Sequence, residues 1–171
     1  IAVGRLALGA NTTGQQNVAM GSNALDANTT GQGNVAIGFE ALTTSDTADY
    51  NTALGFYSLR ANTSGSQNAG VGFRALRQNT TGGNNTALGY NSLVANTTGS
   101  SNTAVGQECL DSNTTADNNT AVGKGTMGNN TTGASNTAIG KSAMGNNTTA
   151  SNNTAVGFSA LLTNTTGGNN T

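Results

Sequence analysis

Large apolar side chains fall along this chain in two columns, each with a period of 17 residues. The first reads Val3, Met20, Ile37, Leu54, Val71, Leu88, Val105, Val122, Ile139 and Val156, each directly before a Gly. The second lies four residues after that Gly and reads Leu8, Leu25, Leu42, Leu59, Leu76, Leu93, Leu110, Met127, Met144 and Leu161. Ala precedes the first column from Ala2 to Ala155, with Gly70 as the exception. Short Thr/Val/Ile segments bounded by Gly and Asn predict strands. Successive residues of a strand face opposite sides. A Thr-Ala-Val segment is therefore small or apolar on both faces, and such strands tend to be buried on both. One face is expected to point into the coil and the other at another chain.

The repeat decides the fold. Gly recurs at Gly4, Gly21, Gly38, Gly55, Gly72, Gly89, Gly106, Gly123, Gly140 and Gly157. Asn recurs at Asn17, Asn34, Asn51, Asn68, Asn85, Asn102, Asn119, Asn136, Asn153 and Asn170. Neither column suffers an insertion or deletion, and the consensus is Asn-Thr-Ala-Val-Gly-x-x-Ala-Leu-x-x-Asn-Thr-Thr-Gly-x-x. Helical repeats are longer and rich in helix formers, whereas Gly, Asn and Thr form helices poorly. A disordered linker would have no reason to keep an apolar column in register. The prediction is an all-β parallel solenoid, or β-roll, with one repeat per coil. Ten coils at ~4.8 Å would make a rod of about 48 Å. Residues 1–171 read as a single array. Without atypical end repeats, it looks like a window of a longer chain.

Within that frame the Gly column is expected to supply turns with positive φ, which side chains resist. The Asn column is expected to form a ladder of stacked carboxamides, as identical Asn residues do in cross-β arrays. Asn11-Thr12-Thr13 and its later copies read as a second polar turn, in which Asn and Thr bond local backbone. Ser45-Asp46-Thr47-Ala48-Asp49 departs from that pattern but keeps its length.

Composition narrows the chemistry. Only 34% of residues are hydrophobic and 8% charged, the formal net charge is −1, and Trp, Pro and His are absent. So few basic groups argue against nucleic acid as a partner, and no run is apolar and long enough to cross a bilayer. No cofactor is expected. Without His there is no triad and no imidazole metal ligand. Asp46 and Asp49 share a turn, but a hard cation needs more oxygens than they supply, and the pairing does not recur. The single Cys109 sits where nearly all other coils have Ala or Ser, which suits a buried small residue. Asn-x-Thr/Ser sequons occur at Asn11, Asn62, Asn96 and Asn164. A glycan on every coil would be crowded at ~4.8 Å spacing.

Every Lys, Arg and Glu lies one, two or five residues after the column Gly, which marks an exposed edge. Phe39, Phe56, Phe73 and Tyr90 follow that Gly in four successive coils, and Phe158 recurs there later. This stripe is a candidate contact surface for a sugar or a partner, or a stacked ladder that stabilises the rod.

The phrase Asn-Thr-Ala-Val-Gly, at residues 102–106, 119–123 and 153–157, resembles the head repeats of YadA-like trimeric autotransporter adhesins and related repeats of phage tail fibres. The resemblance implies a left-handed β-roll, three chains about an axis, and display on a cell or virion surface. It also implies that the column from Val3 to Val156 is buried and that Gly4 to Gly157 form the turns. The family repeat is shorter, and the extra residues fall in the Asn-Thr-Thr-Gly half.

These readings point to a structural and adhesive rod of an extracellular fibre, with no catalysis, whose repeat number sets its length. Its partners would be copies of itself, as a trimer or end to end, and a host surface or glycan; no membrane contact is expected in this segment. Two alternatives stand beside it. One is a filament in which open solenoid ends pair. The other is an ice-binding solenoid with Thr ladders. Thr12 and Thr13 are adjacent and so are expected to point opposite ways, which weighs against the second.

Overall fold

A computed structural model describes residues 1–171. It is a parallel β-solenoid with one short strand per coil. The strands are β1 (Ala2–Val3), β2 (Val18–Met20), β3 (Val35–Ile37), β4 (Thr52–Leu54), β5 (Ala69–Val71), β6 (Thr86–Leu88), β7 (Thr103–Val105), β8 (Thr120–Val122), β9 (Thr137–Ile139) and β10 (Thr154–Val156). They form one ten-stranded sheet in chain order. Register follows the repeat: Thr103 pairs with Thr120, Ala104 with Ala121 and Val105 with Val122.

Strands account for little of the backbone pairing. Of 114 backbone hydrogen bonds, 97 lie outside them. Many run from one coil to the next along the turns, as in Leu25 N–H to Ala41 O at 3.0 Å and Ala27 N–H to Thr43 O at 3.1 Å. The ladder thus wraps most of the coil's perimeter. This satisfies peptide groups that a loop would otherwise leave to water.

Three turns per coil close so small a circuit. The column Gly residues have φ between 127° and 141°. A Cβ built on Gly89 would lie 2.4 Å from the Gly106 carbonyl oxygen, so these corners exclude any side chain. Three further columns adopt left-handed backbone, with glycine only at Gly33 (φ 65°) and Gly125 (φ 61°). One is the buried Leu column, as at Leu42 (φ 52°) and Leu93 (φ 50°), and a second is the residue two before it, as at Glu40 (φ 50°) and Asn91 (φ 52°). The third lies just before the strand Asn, at Gln67 (φ 62°) and Ser101 (φ 59°). Left-handed backbone costs an L-residue roughly 1–2 kcal/mol. Burying a Leu returns about 1.5–3 kcal/mol, so the Leu column offsets its own strain.

The core is narrow. Ala19, Ala36, Ala53 and their successors face inward from the strands and meet the Leu column from Leu25 to Met144, all fully buried. A small residue before each Leu fills the remaining space. Where it is Ser58, Ser92 or Cys109, it donates to the strand carbonyl of Gly70, Ala104 or Ala121 at 2.7, 3.0 and 3.3 Å. A Cβ at Gly70 would stand 2.7 Å from the Ser58 hydroxyl oxygen, although the equivalent Ser92 is accommodated beside Ala104.

The first apolar column lies elsewhere. The resemblance implies that it is buried, but on this chain it faces outward with Thr, and Ala alone turns in. Val3, Met20, Leu54, Leu88, Ile139 and Val156 are exposed, and the other members are half-buried. The reason is geometric. The Leu column and two Asn columns already fill the lumen, and a three-residue strand has only one central side chain to send inward.

Candidate functional site: two carboxamide ladders and an outer surface

The interior beside the core is polar. In the strand Asn column, each carboxamide oxygen accepts the backbone N–H of the next Asn. The bonds from Asn34 to Asn17, Asn51 to Asn34, and so on to Asn170 to Asn153 measure 2.9–3.0 Å. The carboxamide nitrogen mostly bonds across its own coil, as in Asn68 Nδ2 to Gly82 O (2.9 Å) and Asn85 Nδ2 to Gly99 O (2.8 Å). Direct carboxamide-to-carboxamide bonds occur in some coils, such as Asn102 Nδ2 to Asn85 Oδ1 at 3.2 Å.

A second ladder lies in the segment read from sequence as a polar turn. Asn28, Asn62, Asn79, Asn96, Asn113, Asn130 and Asn147 are fully buried. Asn79 Nδ2 donates to Asn62 Oδ1 at 2.7 Å and Asn96 Nδ2 to Asn79 Oδ1 at 2.8 Å. The same nitrogens reach the carbonyl used by the first ladder, so Gly82 O and Gly99 O each accept two carboxamides. The sequon residues Asn62 and Asn96 are therefore ladder members with no access to solvent, and Asn11 and Asn164 are partly buried in the same column. The sequence signal for this ladder was its period of 17, broken only at Ser45.

Outside, the aromatic stripe is a stack. Ring centroids are 5.2 Å apart for Phe39 and Phe56, 5.7 Å for Phe56 and Phe73, and 5.3 Å for Phe73 and Tyr90, with interplanar angles of 7–19°. Tyr57 packs on Phe56 at 4.1 Å. The guanidinium groups of Arg60 and Arg74 lie over the Tyr57 and Phe73 rings, and Arg60 pairs with Glu40 at 2.6 Å. Ring faces within the stack are spent on one another, so the stripe presents mainly edges. Phe158 stands apart, with the Lys141 ammonium 5.7 Å from its centroid.

A shallow notch of about 260 Å³ opens where Gly125, Gly128 and Gly145 replace bulkier residues beside Glu108 and Asp111. Burial first, then the Glu108 charge, pushes the Asp111 carboxyl above its ordinary value. Two carboxylates do not make a metal cage, and no group of three or more His, Cys, Asp or Glu exists. Burial likewise pushes the Cys109 thiol up to about 12, which leaves it a poor nucleophile.

Thr12 and Thr13 lie in a turn rather than a strand, so strand alternation does not govern them, and both are exposed; in most later coils the first Thr is half-buried and the second exposed. The first hydroxyl bonds the next coil's backbone, as in Thr80 Oγ1 to Thr97 O at 2.9 Å and Thr97 Oγ1 to Thr114 O at 3.0 Å. The second Thr, such as Thr81 or Thr98, is exposed.

Comparison with known proteins finds no family, no curated protein and no solved structure that matches the chain.

Proposed function

We propose that the chain is a structural rod of an extracellular fibre, three copies of which pack through the outer faces of their sheets. One observation carries this reading. The outward column from Val3 to Val156 lays an unbroken apolar stripe along the whole rod. A contiguous exposed apolar stripe marks an interaction surface, and a column in fixed register is matched by the same column on another copy. Three copies about the rod axis would cover one stripe per chain, with a left-handed coil as the resemblance implies. The interior supports a mechanical role, because carboxamide ladders and a perimeter-wide backbone ladder tie successive coils together along the rod. Length then scales with repeat number. Display on a cell or virion surface, and adhesion to a host surface or glycan there, belong to the same proposal.

Sedimentation equilibrium of the folded chain tests it. A discrete trimer is expected. Val105→Lys with Val122→Lys, which puts charge on the stripe without touching the core, is expected to yield monomer with the same circular dichroism spectrum. A monomeric wild-type chain at high concentration overturns the reading, and so does growth without limit into filaments.

A further inference from the structure

We propose that the Thr-Thr edge of the solenoid is an ice-binding surface, a role separate from assembly through the sheet. From Thr63-Ser64 to Thr165-Thr166 the pair runs uninterrupted through seven successive coils. Backbone pairing fixes its spacing: the amides of Thr80 and Thr81 both donate to Thr97 O, at 2.8 and 3.2 Å. Consecutive pairs therefore stand one ladder interval apart, about 4.8 Å, on the scale of the oxygen rows of an ice face.

Side chains on this edge are held as well as spaced. Thr80, Thr97 and Thr131 spend their hydroxyl protons on the next coil's carbonyl, at 2.9, 3.0 and 3.1 Å. Each is thereby locked in one rotamer, with its methyl group also fixed. The exposed partner adds a second row of hydroxyl and methyl groups. Such an array loses little side-chain entropy when water orders against it, and weak contacts repeated along a rigid row multiply.

Charge distribution is an independent observation in the same direction. Charged groups hold their own hydration shells and compete with a water lattice. Every Lys, Arg and Glu lies one, two or five residues after the corner Gly, and only Arg60 and Arg77 come within three residues of a Thr pair. Between Thr63 and Thr166, the Thr pairs and the two residues on either side of each carry one charge, Asp117.

Ice-shaping microscopy and thermal hysteresis on the full chain test the proposal. Faceted crystals and a measurable hysteresis gap are expected. Thr81→Lys/Thr98→Lys/Thr115→Lys places three charges on the exposed row and is expected to lower activity at least about tenfold. Gln107→Lys, in the column that already holds Lys124 and Lys141, is expected to leave it intact. Circular dichroism establishes that each variant is folded. If the triple Lys variant is not, the corresponding triple Ala variant carries the same expectation. Absence of ice shaping by the wild type overturns the proposal. So does full activity in the folded triple variant, or binding to crystalline polysaccharide with no effect on ice. Oligomeric state, which tests the fibre reading, is measured separately and decides neither outcome here.

Discussion

Ser45 stands one coil after Asn28, where an Asn would donate to the Asn28 carboxamide oxygen. Both that oxygen and the Ser45 hydroxyl are buried without a hydrogen-bond partner. The second carboxamide ladder is interrupted here, and Asn62 resumes it with a bond to its own Gly65 carbonyl at 2.8 Å. An orphaned buried polar group costs about 1–3 kcal/mol. Ser45→Asn is therefore expected to stabilise the rod by about 1–2 kcal/mol, read as a higher denaturation midpoint. A lower midpoint would mean that the third coil has adapted to its Ser.

The converse change belongs in an intact stretch. Asn96 donates to Asn79 and accepts from Asn113 at 2.8 Å. Asn96→Ser would leave the Asn79 oxygen without a partner and the Asn113 nitrogen with only its bond to Ala116 O. A loss of about 1–3 kcal/mol is expected in urea denaturation, the cost of a buried polar group left unpaired.

Corner glycines separate steric from conformational demand. Gly89→Ala must fit a Cβ 2.4 Å from a carbonyl oxygen at φ 141°, and is expected to cost several kcal/mol or abolish folding. Gly128→Ala meets its nearest atom at 3.4 Å, without a positive φ, and a change of less than about 1 kcal/mol is expected. Equal melting temperatures for the two variants would contradict the close coil-to-coil contact.

Strain without crowding should be relievable. Ser101 is exposed with φ 59°, in the column where Gly33 occurs naturally. Ser101→Gly removes an L-residue from left-handed backbone, and a gain of up to about 1 kcal/mol is expected, offset in part by the greater freedom of Gly in the unfolded chain. A thermal melt against wild type reads it directly.

Cys109 gives a pH prediction. Burial is the main cause that raises its thiol from the ordinary 9.0 to about 12, with a smaller contribution from Asp111. The folded state therefore keeps the proton longer than the unfolded state. Its contribution to stability is complete below pH 9 and is lost as pH rises from about 9 towards 12. Cys109→Ser should flatten the alkaline limb of the stability profile. In the folded wild type, thiol reagents at neutral pH should label Cys109 only as fast as the chain opens.

Much of this architecture is legible in the chain because period survives low complexity. The positions of Gly4 to Gly157 give the coil, and the Thr-Ala-Val phrase gives the strand. What stays hidden is direction. Val105 and Leu110 are both large and apolar, yet one faces out and the other in. Alternation along a strand says nothing once the strand ends at a glycine corner. The left-handed residues Glu108 and Leu110 then re-aim the side chains that follow. Asn96 was hidden for a different reason. A polar residue beside two Thr reads as turn surface, and only a partner in the neighbouring coil makes its burial affordable. Thr97 and Thr98 show the same limit, since the two-sided rule applies to strands and they are not in one.

The coil-to-coil fit at the corner glycines also bears on how such a chain changes over generations. Each corner from Gly4 to Gly140 packs against the corner 17 residues on, so deleting or duplicating a whole repeat still sets corner glycine against corner glycine. A gene encoding near-identical units is prone to slippage and unequal recombination in whole steps. Those accidents, disruptive in most proteins, would here change only reach. A shift of one residue would instead drive a side chain into a carbonyl and turn the carboxamides away from their partners. Selection on such a sequence therefore acts as a ratchet that permits whole steps and forbids fractions.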